Sequence, residues 1–160
     1  MDTLDILQRV IELDPEEVDV DPVRPHLSID FKTSKGREIF ILKNSDISRG
    51  DGSFVDVVLA VCCVAYCTEV PKDEDELDKF SDPNGKIAVA YTVWSNGWRK
   101  GAGRDIIFKI RDEFKLDKSI ERLITLSPLT DMTKRFHLKN GAVLLNHNET
   151  SYNFEYELPK

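Results

Sequence analysis

The chain has 160 residues, 41% hydrophobic and 32% charged, a composition that describes one globular domain of ordinary size rather than a disordered segment. Acids outnumber bases 29 to 22 for a formal charge of -7, which argues against a general nucleic-acid binder, since such a protein needs a basic face to release counterions. Its three cysteines, Cys62, Cys63 and Cys67, share one apolar run with no signal peptide ahead of them, so free thiols in a reducing, cytoplasmic setting are expected.

The acidic excess is confined to the head: residues 1–30 hold nine acids and two bases, and residues 31–160 hold 20 of each. Leu4, Ile6, Leu7, Val10 and Ile11 recur at helical spacing there, which predicts a helix over 3–13 capped by Asp2 or Thr3. Pro15, Pro22 and Pro25 make the rest of the segment to residue 26 an irregular connection. Leu27, Ile29 and Phe31 then alternate with polar neighbours before Thr33-Ser34-Lys35-Gly36, so 27–43 reads as a β-hairpin whose second strand is 38–43.

Phe54 to Val70 is rich in valine and cysteine and reads as a buried strand, with a helix left open by period alone. Asp56 and Glu69 fall within it and it is short for a bilayer, so no membrane span is expected. Residues 71–85 form a polar connection, a solvated loop or a short surface helix, with five acids in Asp73–Asp78. A strand over 86–94 ends at Ser95-Asn96-Gly97, and an amphipathic helix over 104–115 is marked by Ile106, Ile107, Ile110 and Phe114. A strand over 122–126 stops at Ser127-Pro128, and a short helix over 130–138 stops at Asn140-Gly141. Strands over 142–145 and 152–158 close the chain. The fold class is therefore mixed α and β (α+β), with 86–94 and 122–126 expected as parallel neighbours joined by the helix in a right-handed crossover.

The turn between strand 86–94 and the helix carries Arg99, Lys100, Gly101, Ala102, Gly103 and Arg104. A helix start leaves backbone N–H groups unpaired and partly positive, and glycine lets a ligand approach them, so the turn suits a pyrophosphate as well as a plain structural bend. Residues 98–139 hold eleven bases and six acids, a local excess of positive charge in an acidic protein. There is no Gly-Lys-Ser/Thr for a P-loop, and Ile106 stands where a dinucleotide fingerprint needs its third glycine.

The run from Lys86 to Phe114, with Arg122–Pro128 and Phe136–Ala142 behind it, resembles the GNAT acyltransferase superfamily. That family carries a strand, an Arg/Gln-x-x-Gly-x-Gly/Ala loop, a helix, a strand, a helix and closing strands in this order; here Trp98 takes the Arg/Gln place and Arg99 comes one residue later. Within it, the catalytic domain of malonyl-CoA decarboxylase is similar through Thr125-Leu126-Ser127-Pro128, Phe136-His137-Leu138-Lys139-Asn140-Gly141-Ala142 and Ser95-Asn96. The helical N-terminal domain of that family, and its insertion between the serine and histidine elements, have no counterpart in these residues.

The resemblance implies a GNAT-type sheet, mostly antiparallel, splayed in the middle and flanked by helices, over residues 27–160 with an acidic head at 1–26. It implies an acyl-CoA, acetyl or malonyl, with the backbone at Val93 and Trp94 on the pantetheine and residues 99–104 on the pyrophosphate. No metal is expected. His137 and Ser127 fall on the family's catalytic histidine and serine. Imidazole exchanges protons near neutral pH, although a histidine in a last helical turn also simply meets carbonyls. Ser127 is either an anchor for a carboxylate or thioester oxygen or a turn residue. Transfer of a small acyl group from CoA to an unknown amine is the leading expectation, with Glu69 as a weak candidate base. Decarboxylation of a malonyl-type thioester and a non-catalytic CoA- or protein-binding module are the alternatives, and a homodimer is left open.

Overall fold

The computed structural model describes residues 5–10, 21–48, 54–95, 97 and 99–159. One sheet contains β1 (Asp5–Arg9), β2 (Glu38–Ser48), β3 (Phe54–Cys67), β4 (Ile87–Ser95), β5 (Arg122–Thr125), β6 (Ser127–Pro128), β7 (Val143–His147) and β8 (Ser151–Tyr156). Between them lie α1 (Ile29–Thr33), α2 (Glu74–Phe80), α3 (Ala102–Leu116) and α4 (Asp131–Lys139). The strand order is β1-β2-β3-β4-β5-β8-β6, with β7 on β8, and β4–β5 is the parallel pair in an otherwise antiparallel sheet. Among the described residues no helix is long and apolar enough to cross a membrane.

The valine-rich run is a strand because both faces of β3 are covered. Cys62, Val64 and Tyr66 pack with Ile106, Ile107, Ile110 and Phe114 of α3, while Val61, Cys63 and Ala65 pack with Leu77 of α2 and Tyr91 of β4. Adjacent Cys62 and Cys63 thus enter opposite layers, as the pleat requires. All three thiols are free and buried, and burial pushes Cys63 up to about 12, so they act as small apolar groups.

Two expected elements are different. The head is a strand over residues 5–9 rather than a helix, paired antiparallel with β2 from Asp5↔Asn44 to Arg9↔Phe40. Ile6 is 56% exposed while Asp5 is buried, so the alternation of the strand overrides the helical spacing of the apolar residues. The open edge of β2 supplies backbone partners that a short isolated helix would lack. The remaining positions of that predicted helix, 3–4 and 11–13, lie outside the described residues.

The first arm of the expected hairpin is likewise helical. Ser28 Oγ accepts the Phe31 amide at 3.0 Å as an N-cap, and Thr33 Oγ1 donates to the Ile29 carbonyl at 2.9 Å. Ile29 and Phe31 still reach the core from this single turn, and the antiparallel partner of β2 is β3. β2 itself runs on to Ser48, about five residues past its expected end at 43, and the other expected elements lie within about three residues of their expected bounds.

β4 and β5 run parallel from Ile87↔Arg122 to Ala90↔Thr125, and the Leu126 amide makes the last rung to the Ala90 carbonyl at 3.0 Å. Extending that ladder by two residues would call on an N–H at position 128, where proline has none. β4 also bulges. Val64 pairs with Ala90 and Cys63 with Thr92, leaving Tyr91 without a counterpart on β3. The bulge reverses the alternation: Ala88, Ala90 and Val93 face the α3 layer, whereas Val89, Tyr91 and Trp94 face the other. β4 continues to Ser95 without β5, and a cleft opens where the two strands part.

Candidate functional site

The cleft has a volume of about 380 Å³. One wall is β4 from Ala90 to Ser95, and the other is Leu126, Ser127 and Pro128. Gly103 of α3 and Met132, Phe136 and His137 of α4 cover it, and Pro22 and Val23 from the head complete the lining. The surface is largely apolar. Among the described residues His137 and Tyr91 are its titratable groups and no carboxylate lines it. Val93 and Trp94, expected on the pantetheine, and Ser127 and His137, expected as catalytic residues, all line this one cavity.

His137 sits in the last turn of α4, which Thr130 caps through the Thr133 amide at 3.1 Å. The side chain is 3% exposed, stacks on Phe154 with ring centroids 5.1 Å apart, and places Nδ1 2.7 Å from the Tyr156 hydroxyl. Burial draws the imidazole down to about 4, so at neutral pH the ring is uncharged. Burial also raises the Tyr156 phenol, which keeps its proton. When that phenol donates to Nδ1, the imidazole carries its hydrogen on Nε2; the other tautomer would donate from Nδ1 to the phenol oxygen.

Ser127 is 3% exposed and its Oγ–H donates to Thr125 Oγ1 at 2.8 Å. Thr125 Oγ1 also accepts the Phe154 amide at 3.0 Å. Either hydroxyl can supply the shared proton, and when Thr125 does so the Ser127 proton is free for a ligand.

At the glycine turn, Gly101 is the N-cap of α3 with φ +83°, and no side chain caps the helix. A Cβ at Gly103 would rest 3.6 Å from the Phe136 ring, an ordinary contact. Gly103→Ala is therefore expected to leave unliganded stability within ~1 kcal/mol. If the amides of this turn hold a pyrophosphate, the added methyl should weaken CoA binding by ~10-fold, ~1.4 kcal/mol, in a titration calorimeter. Gly101 makes a poorer test, because its positive φ strains any side chain before a ligand is considered.

Arg99 does not present a free cation there. Its Nη1 donates to Asp105 at 2.7 Å and its Nη2 is bonded to Asp5, so β1, the turn and α3 are tied together. Lys100 is exposed, and Arg104 is exposed with its Nε 3.6 Å from Asp105. Those two remain the cations available to an anion. Trp98 and Asn96 lie outside the described residues. Glu69 is displaced from any role in the cleft: it follows β3 just past Cys67, which pairs with Ile87 at the opposite end of β4. Among the described residues no three or more potential ligands converge on a metal-type site.

Sequence reasoning missed Tyr156, Thr125, Asp21 and Arg24, which position the expected residues. Tyr156 and Thr125 stand in strands and read there as packing residues. Asp21 and Arg24 stand in a segment with no periodicity to assign a facing.

No family model matches the chain and no curated protein matches its sequence. Solved structures do match. The GNAT-like decarboxylase GphF in complex with isobutyryl-CoA aligns with a TM-score of 0.66 over 96% of this chain and 100% of its own, at 12% identity. The N-acetyltransferase PseH of Campylobacter jejuni in complex with acetyl coenzyme A aligns at 0.57 over 98% of this chain and 100% of its own, also at 12% identity. A malonyl-CoA decarboxylase from Cupriavidus metallidurans aligns at 0.54 over 79% of this chain and 31% of its own, at 17% identity. The likeness at these identities is one of fold. This chain has the GNAT fold.

Proposed function

We propose that this GNAT-fold chain binds a short acyl-CoA beside β4 and decarboxylates a malonyl-type thioester in the cleft. The observation that carries the reading is a neutral, buried His137 in an apolar cavity whose described lining holds no carboxylate. Transfer to an amine needs a base to take a proton from an ammonium ion, and among the described residues neither Glu69 nor another carboxylate lines the cleft to act as one. It also needs an acid for the departing thiolate, whose conjugate acid resembles a free thiol at ~8.5. A neutral imidazole N–H is too weak an acid for that task.

Decarboxylation makes different demands. A carboxylate placed in apolar surroundings is raised in energy, and CO2 leaves without charge. The electron pair of the breaking C–C bond passes into the thioester carbonyl to give an enolate. Its carbon is a far stronger base than a thiolate and takes the proton from Nε2, which solvent restores when the product leaves. Ser127 would orient the departing carboxylate, and the amides at 102–104 with Lys100 and Arg104 would take the pyrophosphate. The three free thiols suit a reducing cytoplasm.

Native mass spectrometry with acetyl-, malonyl- and free CoA tests the reading. Bound malonyl-CoA should lose the mass of CO2, and Ser127→Ala should slow that loss strongly without abolishing binding. Malonyl-CoA recovered intact, with acetyl-CoA consumed only when an amine is added, would instead establish transfer. Binding without turnover would leave a CoA-binding module, and no binding of any of the three would overturn the cofactor assignment.

A further inference from the structure

Arg24 belongs to the connection between β1 and α1 and is 9% exposed. Its Nε donates to the Tyr91 carbonyl at 2.7 Å and its Nη2 to the Leu126 carbonyl at 2.8 Å. Its Nη1 meets Glu74 Oε1, in the first turn of α2, at 2.6 Å. Tyr91 is the bulged residue of β4, and Leu126 makes the last rung of the parallel ladder. One edge of a single guanidinium thus spans a carbonyl from each strand at the point where the strands separate.

We propose that Arg24 is a positioning residue, a spacer that holds β4 and β5 apart and so sets the width of the cleft. The effect on ligand rests on the acyl-CoA reading given above; the spacing itself does not. The guanidinium is suited to this place because it is planar, always charged and carries parallel donors along the Nε–Nη2 edge. A lysine ammonium is a point donor and cannot reproduce that span. The seat is also fixed: Asp21 Oδ1 accepts the Val23 and Arg24 amides, each at 2.8 Å, and the Thr92 hydroxyl at 3.0 Å. The head is thereby fastened to β4 one residue beyond the bulge, with Pro22 and Val23 brought to the cleft. Leu126 directly precedes Ser127, so a change in the separation of the two carbonyls moves the hydroxyl proposed to hold the carboxylate.

The test uses the full chain with Arg24→Ala, and Arg24→Gln as a second variant with a bulkier polar side chain should the first fail to fold. Two readouts are made on each. A crystal structure of the variant should show the Tyr91 and Leu126 carbonyls closer together and the cavity smaller than in the parent. Acetyl-CoA affinity should fall by ~10-fold or more, since small misplacements in a positioned site have effects of that order. Millimolar guanidinium should restore much of the affinity and methylammonium should not, a selectivity that a general loss of stability would not produce. Arg24→Lys should remain impaired. An unchanged cleft in the variant structure, or an affinity that is unaffected by both substitution and guanidinium, would overturn the proposal. If the parent chain itself fails to bind acetyl-CoA, the acyl-CoA reading falls, and the variant structure alone then decides the spacing role.

Discussion

Replacing His137 with alanine should lower malonyl-CoA turnover by ~10²–10⁴-fold, the usual contribution of a positioned proton donor, while acyl-CoA affinity stays within a few-fold. The expectation follows from where the imidazole sits. Phe154 and Tyr156 hold the ring, and its neutral state comes from burial rather than from a charged neighbour. Turnover should therefore be level from about pH 8 to pH 6, where the ring stays neutral. Transfer driven by an imidazolium donor would instead rise as the pH falls.

The same histidine should also mark the stability profile. In the unfolded chain it titrates near ~6.5 and in the folded chain at about 4, so the unfolded state takes up the proton first. Stability should be unaffected above the unfolded value and lost as the pH falls from there to about 4. The full loss is about 3 kcal/mol on the basis of that depression. His137→Gln should remove this part of the acid sensitivity, as read from urea midpoints between pH 7 and pH 4. A profile with the same slope in the variant would contradict the assignment.

Asp21→Ala should destabilise the protein by ~3–5 kcal/mol, the cost of leaving one member of a buried ion pair without the other. Lys32 Nζ lies 2.8 Å from Asp21 Oδ2, and both side chains are almost wholly enclosed. The carboxylate also takes hydrogen bonds from Val23, Arg24 and Thr92, so its loss undoes the attachment of the head to β4 as well. Burial opposes the charge on Asp21, but Lys32 and the amides of Arg24 and Val23 outweigh it and hold the group below its ordinary value. This contribution should persist at neutral pH and be lost as the pH drops through the folded-state value. Urea denaturation provides the measurement. The double variant Asp21→Ala/Lys32→Met should be less destabilised than Asp21→Ala alone, because the stranded ammonium is gone; equal or greater loss in the double variant would argue against the pair.

The central part of the fold was legible because its residues carry a strong period and clear stops. Val- and Cys-rich β3, the Ile106–Phe114 face of α3, and the Ser127-Pro128 stop each reflect a local rule that tertiary packing reinforces. β1 and α1 were not legible for the opposite reason. β1 buries an aspartate and exposes an isoleucine, an inversion that depends on Arg99, 94 residues away in sequence. α1 is one turn with a serine cap, too short for a helical period to emerge against the alternation of Leu27, Ile29 and Phe31. At the site, His137 and Ser127 stood out through a resemblance in their motifs, and the structure gathers them in one cleft. Their environment was hidden, since protonation depends on Phe154 and Tyr156 arriving from β8. Arg99 read as a free cation because nothing in the local sequence reveals that Asp5 lies against it.

Pro22 and Val23 give the cleft a wall that belongs to a connector and not to the sheet. A strand residue that changes size disturbs its neighbours on both sides of the ladder, and a shift of one position reverses every facing. A connector residue carries neither constraint. Bulk can be added or removed at positions 22 and 23 while the register of β4, β5 and β8 and the placement of His137 and Ser127 stay as they are. On the acyl-CoA reading proposed above, the length of acyl chain admitted is thus separable from the machinery that would act on it, and a connector rather than a strand is where that selectivity is free to vary.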